Sequence, residues 1–322
     1  MRLIRFADPA AFSERATPFL IRHEAEHNLL LGITGGLVRA GARPAPAGAP
    51  ARRPYLALLE DERDGAVLAV AVRTAHLLVL SRIAPEAAPA ALSGVAADLA
   101  AGGDPGVAGD PLSPAALPGV LGPADLARAV AERWAAAGGP AFRRSTAMRI
   151  YQLDRVTPVA GVPGALRPAT AADVPLVTAW LGAFQRDVGE AAGDPAGAAR
   201  EAARSIAAGG VHLWQLDPPP AGPADAPTSG PVSMANATGA TPNGIRINMV
   251  YTPPDARRRG YASAAVAALS QAMLGAGRRH CFLFTDLSNP TTNRIYQTVG
   301  YRPVADADEY RFTPPAAPAA PA

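Results

Sequence analysis

Apolar positions along the chain alternate between two periods. In "PAAFSERATPFLIRHEAEHNLLLGITGGLV", Phe19, Leu20, His23, His27 and Leu30/Leu31 recur at helical spacing, which predicts helices here. The Pro/Gly-rich "GARPAPAGAPARRP" reads as a loop. "YLALLED" and "AVLAVAVRT" are β-favouring apolar runs separated by "ERDG", a hairpin pattern. "PADLARAVAERWAAAGG" predicts a helix, with Pro123 at its start, Leu126, Val130 and Trp134 one face apart, and glycines at its end. "STAMRIYQLDRV" closes this half as a strand.

The uncharged, Pro/Gly-rich "TPVAGVPG" (157–164) marks a boundary. A second round follows. "LRPAT" reads as a short strand, "AADVPLVTAWLGAFQRDVG" as a helix with Val177, Trp180, Leu181 and Phe184 on one face, and "PAGAAREAARSIAAGG" as another helix. "VHLWQLD", "PVSMANATG" and "GIRINMVYT" are strands, with "PPPAGPADAPTSG" as a long connection. A long helix with Ala262, Val266, Leu269 and Met273, the buried strand "HCFLFTDL", the capped helix "NPTTNRIYQTVG", and two strands, "YRPV" and "EYRF", complete the pattern. "TPPAAPAAPA" is a low-complexity tail, expected to be disordered from 315 to 322. The predicted class is α+β in two domains, residues 1–156 and 163–314. Each is a mixed, mostly antiparallel sheet flanked by helices.

Composition narrows the chemistry. Of 322 residues, 49% are hydrophobic, enough for real cores, and the net charge of +3 implies no polyanionic partner. All 30 basic residues are arginine, so no lysine side chain of this chain can itself be acylated. The single cysteine, Cys281, excludes an intramolecular disulfide framework and a cysteine zinc cluster. His23 and His27 in "HEAEH" have i,i+4 spacing but not the H-E-x-x-H order, and a polar helix face explains them. The opening "MRLIRFADPA" has no apolar leader core, and no run reaches the ~20 apolar residues of a membrane span. A soluble cytoplasmic protein, with neither membrane nor nucleic acid as partner, is expected.

The informative stretch is "VYTPPDARRRGYASAAV". Pro253 and Pro254 cannot continue a paired strand, and a helix begins within a few residues. The first amides of that helix have no helical partner, and its dipole favours an anion there. Gly260 lets a phosphate approach the backbone. A P-loop is excluded by the missing Gly-Lys-Ser/Thr, and a dinucleotide fingerprint by the missing G-x-G-x-x-G. A nucleic-acid patch would bring interleaved aromatics and a broader basic field. What remains is R-x-x-G-x-A: Arg257, Gly260, Ala262.

Between an alternating strand and a long helix, that motif resembles the acetyl-CoA signature of the GNAT superfamily of N-acetyltransferases. The second half of the signature follows in "NPTTNRIYQTVGY": Asn289, Tyr296 seven residues on, then Gly300 and Tyr301. The resemblance covers 245–312 and implies two GNAT-like domains in tandem, with acetyl-CoA as co-substrate and no metal. It implies that the main chain of Arg258, Arg259, Gly260, Tyr261, Ala262 and Ser263 holds the pyrophosphate, helped by arginine side chains including Arg257. It implies that Asn289 and the main chain of Met249, Val250 and Tyr251 contact the pantetheine arm, with an N–H near Val250 polarising the carbonyl. Tyr296 is implied as the acid that protonates the leaving thiolate. The expected reaction is direct attack by a primary amine, with Glu190, Asp286 or a water chain as base.

The first half carries no such signature. After "HLLVLS" it reads "RIAPEAAPAALSG", with no R-x-x-G-x-A and no Asn…Tyr pair. It is expected to be a degenerate GNAT-like copy that walls the acceptor site. A non-catalytic acetyl-CoA sensor, and a transferase of another acyl group, remain alternatives at this point.

Overall fold

A computed structural model describes residues 1–41, 54–73, 77–84, 87, 93–95, 97–98, 117–136, 139–189, 194–217 and 229–313. The loop expected around 42–53, most of the connection at 218–230, Glu190 and the tail from 315 lie outside these residues. The chain divides into two compact units. The first comprises Met1–Ile150, Asp286–Ser288 and the chain from Val304; the second comprises Tyr151–Thr285 and Asn289–Pro303.

In the first unit β1 (Arg2–Arg5) precedes α1 (Pro9–Leu20) and α2 (Asn28–Gly41). Helix α1 starts where it does because Asp8 accepts from the amides of Ala10 and Ala11, with Pro9 at the first helical position. Strands β2 (Tyr55–Glu60), β3 (Val67–Arg73), β4 (Leu78–Leu80) and β5 (Gly119–Pro123) follow, then α3 (Ala124–Ala136) and β6 (Phe142–Leu153). Strand β6 belongs to this unit up to Ile150. The ladders β1–β2, β2–β3 and β3–β4 are antiparallel, and β4–β5 is parallel. Strand β2 is buried at every position because both faces are covered. Phe12, Leu20, Leu30, Leu56 and Val72 pack on one side, and Tyr55, Leu78, Val120 and Trp134 on the other.

Two findings differ from the sequence pattern. Strand β5, "GVLGP", is not legible as a strand, being short and carrying glycines and a proline. At the end of the chain the two expected strands "YRPV" and "EYRF" are one, β12 (Arg302–Phe312). Its residues Ala307–Arg311 pair antiparallel with Pro123–Gly119 of β5. Asp306 and Asp308 hide its continuity in the sequence, but each has an arginine partner. Arg149 bonds Asp306 at 2.6 and 2.9 Å, and Arg144 lies 3.5 Å from Asp308, which is buried.

The second unit is built from β7 (Ala165–Pro168), α4 (Val174–Asp187), α5 (Pro195–Ala207), β8 (Val211–Leu216), β9 (Gly230–Thr238), β10 (Gly244–Tyr251), α6 (Tyr261–Gly275), β11 (His280–Asp286) and α7 (Pro290–Val299). Its strand order is β7-β8-β9-β10-β11, antiparallel except for β10–β11. Alternation divides the sheet's faces. Met234, Leu213 and Val211 pack against Val177, Trp180 and Ile206 of α4 and α5. Ala235, Ala237 and Ile247 pack against Val266, Leu269, Tyr296 and Val299 of α6 and α7. Among the described residues no helix is long and apolar enough to cross a membrane.

Candidate active site

Strands β10 and β11 pair over only three positions, Gly244–Arg246 with His280–Phe282. Beyond Arg246 the two strands continue unpaired, which leaves backbone groups of Ile247–Tyr251 on that side without a ladder partner. On the other side, the register with β9 passes from Asn248↔Asn236 to Tyr251↔Met234. One extra residue therefore sits in β10, a β-bulge. Met249 takes φ 50°, a left-handed conformation costly for a residue with a long side chain. The bulge re-aims the chain: Met249 packs with the α4–α5 face and Val250 with the α6–α7 face. Met249, Val250 and Tyr251, the three expected main-chain contacts, therefore occupy one irregular segment beside an opening between parallel strands.

After Tyr251 the chain leaves the sheet at Pro253, makes a 310 turn over Pro254–Ala256, and enters α6 at Tyr261. Gly260 is the N-cap at φ 84° and offers no side-chain cap. The first helical bond of the turn runs from the Ala264 amide to the Gly260 carbonyl at 3.0 Å. The amides of Tyr261, Ala262 and Ser263 precede it and have no intrahelical acceptor. A Cβ on Gly260 would lie 2.9 Å from Val162 Cγ2, so both the conformation and the space require glycine.

The three arginines divide in role. Arg257 donates from Nε to the Thr252 carbonyl at 2.9 Å, pairs with Asp187 at the end of α4, and lies over the Tyr251 ring at 5.9 Å. It braces the turn against β10 and α4. Arg258 has φ 61° and, like Arg259, is exposed. A left-handed Arg258 followed by left-handed Gly260 turns the backbone into a concave segment ahead of the helix.

Helix α7 supplies the second half. Asn289 Oδ1 accepts from the Thr292 amide at 3.1 Å, so Asn289 is the N-cap, with Pro290 at the first helical position. Tyr296 is 7% exposed and its ring meets Tyr301 edge-on at 6.0 Å. It shares a core with Ile247 and Leu283, the first residues past the last β10–β11 pair. Burial pushes its phenol up to about 12, which keeps it protonated across physiological pH. Below it the Tyr301 hydroxyl bonds Ser270 at 2.8 Å.

The sequence gives no local sign of two further participants. Asp187 fixes Arg257 from seventy residues away. The Tyr151 hydroxyl donates to Asn293 Oδ1 at 3.0 Å and accepts from Gln297 Nε2 at 3.1 Å, tying α7 to β6. Asn293 thus joins a network rather than bonding only its own helix. These contacts are long-range and leave no periodic trace.

Other candidates have structural explanations. His27 Nδ1 faces the Leu20 carbonyl at 2.9 Å, and Nε2 accepts from the Arg82 amide at 3.0 Å. Both ring nitrogens are used, and burial lowers its pKa, so it is a neutral core histidine. Among the described residues no three His, Cys, Asp or Glu are grouped to hold a metal. The Cys281 thiol is buried and pushed up to about 12, which makes it inert. Asp286 accepts from the Ser288 amide at 2.7 Å, a turn cap.

With this geometry in view the comparisons are specific. Residues 229–312, from β9 to the end of β12, match the family model of FR47-like protein. No curated protein matches the sequence. Among solved structures, a Drosophila protein from structural genomics superposes with a TM-score of 0.64 at 11% identity, over 97% of this chain and 98% of that one. A GCN5-related N-acetyltransferase from Sphaerobacter thermophilus gives 0.57 at 17% identity, over 96% and 95%. A tandem GNAT protein from the clavulanic acid biosynthesis pathway gives 0.50 at 14% identity, over 96% and 97%. These likenesses speak for fold, and the family match falls on the segment that holds the bulge, the turn and α7. The chain has the α+β fold of these N-acetyltransferase structures, a tandem protein among them, and its residues 229–312 are FR47-like.

Proposed function

We propose that the second unit is an acetyl-CoA-dependent N-acetyltransferase that acts on a primary amine by direct attack. The observation that carries this reading is two stretches of unpaired backbone: the edge of β10 that faces β11 beyond Arg246, at the bulge, and the first amides of α6. They offer a thioester arm hydrogen bonds along one edge, and a pyrophosphate a helix N-terminus with no Cβ in the way. When bound, acetyl-CoA supplies an activated acetyl group.

The chain's own residues do the rest. The amides of Tyr261, Ala262 and Ser263, with the backbone of Arg258–Gly260, hold the phosphates. Arg257 keeps that turn in register with β10 through Thr252 and Asp187. The main chain of Met249–Tyr251 orients the arm, and the Val250 N–H faces the carbonyl oxygen as negative charge develops on it. Asn289 presents its Nδ2 while Oδ1 caps α7. Tyr296 donates to the departing sulfur. At about 12 its phenol is a weaker acid than a thiol of ~8.5, so it acts by hydrogen bonding through the bond-breaking step rather than by early proton transfer.

Calorimetry with acetyl-CoA, followed by release of free CoA in the presence of an amine panel, tests the reading. Binding in the micromolar range with amine-dependent CoA release is expected. Binding without release from any amine would make the unit a sensor of acetyl-CoA. An acyl-chain series would show whether a longer donor is preferred.

A further inference from the structure

Helix α7 carries two side chains of the site, Asn289 at its N-cap and Tyr296 further along. Residues three and four apart are neighbours on a helix surface, so Asn293 stands between them. Asn293 is gripped by Tyr151, the first residue of β6 in the second unit, which is fully buried. The Tyr151 hydroxyl bonds Asn293 Oδ1 at 3.0 Å and Gln297 Nε2 at 3.1 Å.

The polarity of this array is fixed from one end. The Asn289 carbonyl can only accept, and Asn293 Nδ2 donates to it at 2.8 Å. Asn293 must then turn Oδ1 to Tyr151, whose single proton goes to that oxygen, so Gln297 must present Nε2 to the phenol oxygen. The Asn289 carbonyl also accepts from Thr292 Oγ1 at 3.1 Å and from the Asn293 amide at 3.3 Å. Its backbone is thus held by three donors. On its side chain, Oδ1 takes the Thr292 amide at 3.1 Å, so the donor left to the side-chain amide is Nδ2. Capping a helix needs only this last bond. The reach from a buried phenol through Asn293 to the Asn289 carbonyl lies outside the helix's own ladder. It fixes where Asn289 stands and which way its amide faces.

We propose that Tyr151 and Asn293 are positioning residues for the acetyl-CoA site: through the Asn289 carbonyl they hold the Asn289 amide with Nδ2 toward the pantetheine arm. This rests on the acetyltransferase reading, and it gives a role in that site to two side chains that do not themselves touch the cofactor.

Calorimetry on the full chain compares acetyl-CoA with adenosine 3′-phosphate 5′-diphosphate, which keeps the phosphates and lacks the arm. Tyr151→Phe should weaken acetyl-CoA binding about tenfold and change binding of the bare nucleotide less than about twofold. Asn293→Ala should do the same. Asn293→Asp keeps an acceptor for the Tyr151 hydroxyl but sets a second acceptor against the Asn289 carbonyl, so it should lose as much as Asn293→Ala. Wild-type affinity in Asn293→Asp would reduce the array to a tie between β6 and α7 and overturn the proposal. Because Tyr151 acts through Asn289, its effect should disappear where Nδ2 is gone. In Asn289→Ser, which keeps a capping oxygen, adding Tyr151→Phe should cost less than about twofold more. Additive losses, equal weakening of both ligands, or undiminished acetyl-CoA binding in Tyr151→Phe would each overturn the proposal and leave the acetyltransferase reading in place. Should Tyr151→Phe fail to fold, Asn293→Ala takes its place in every comparison. A wild type that does not bind acetyl-CoA fails the acetyltransferase reading first, and this proposal with it.

Discussion

At the scale of single residues, conformation outranks charge in the "RRRG" turn. Gly260 is needed twice, for φ 84° and for the gap beside Val162. Gly260→Val should weaken acetyl-CoA binding at least about tenfold and cost roughly 1–2 kcal/mol of stability from left-handed strain alone. Arg258→Ala, at an exposed position, should weaken binding less than about threefold. Titration calorimetry beside thermal melts separates the two, and the reverse order would return the turn to a simple charge patch. Tyr296→Phe should lower kcat about 10- to 100-fold while leaving the KM for acetyl-CoA nearly unchanged. The pH dependence has a definite sign. Desolvation raises the phenol to about 12, so its donor form persists below that value. No alkaline fall in kcat between pH 7 and 10 should therefore trace to Tyr296. An alkaline limb in that range that vanishes in Tyr296→Phe would contradict the buried phenol.

At the scale of elements, the parts legible in the sequence are those whose signal is local. Helices α3, α4, α5, α6 and α7 carry apolar residues at helical spacing, and Asn289 with Pro290 marks the start of α7 within two residues. The bulge in β10 is not legible, because a one-residue shift against β9 leaves no mark in "INMVY". Nor is the clamp between β7 and α4. Arg167 bonds Asp173 at 2.8 Å through both nitrogens, and Asp173 also accepts from the Thr170 amide and hydroxyl. The Arg167 fork, and then Thr170, hold the Asp173 carboxyl well below the usual carboxylate range. A depressed carboxylate stabilises the fold fully above its unfolded pKa of ~3.9, and that contribution is lost as pH falls toward the folded value. Asp173→Ala should thus cost about 1–3 kcal/mol near neutral pH. The gap to wild type should narrow as pH drops below about 4. Denaturant titrations at pH 7 and pH 3 measure it, and a gap that stays constant would show that the cap alone, not the ion pair, matters.

At the scale of the whole molecule, sequence order misleads about which residues stabilise which unit. The two rounds of helices and strands suggest a clean division near "TPVAGVPG". That pattern has no means of showing that the chain from Val304 packs in the first unit, because the pairing of β12 with β5 joins residues nearly two hundred positions apart. Tyr310 and Phe312 belong to the same core as Tyr55, Leu78, Val120 and Trp134. The Phe312 amide donates to the Pro118 carbonyl at 3.1 Å, and the Thr313 amide to the Ala141 carbonyl at 2.8 Å. Phe312 is 7% exposed, so Phe312→Ala should cost about 3–5 kcal/mol through lost burial and the cavity left behind. The cost should fall on the amino-terminal unit although the substitution lies in the FR47-like segment. Hydrogen exchange locates it: protection should drop across β2, β3 and β5, while β8, β9 and the paired part of β10 keep theirs, and acetyl-CoA binding should persist. Equal loss of protection in both units would mean that they unfold as one cooperative block, and a loss confined to β8–β10 would place β12's stabilising role in the other unit.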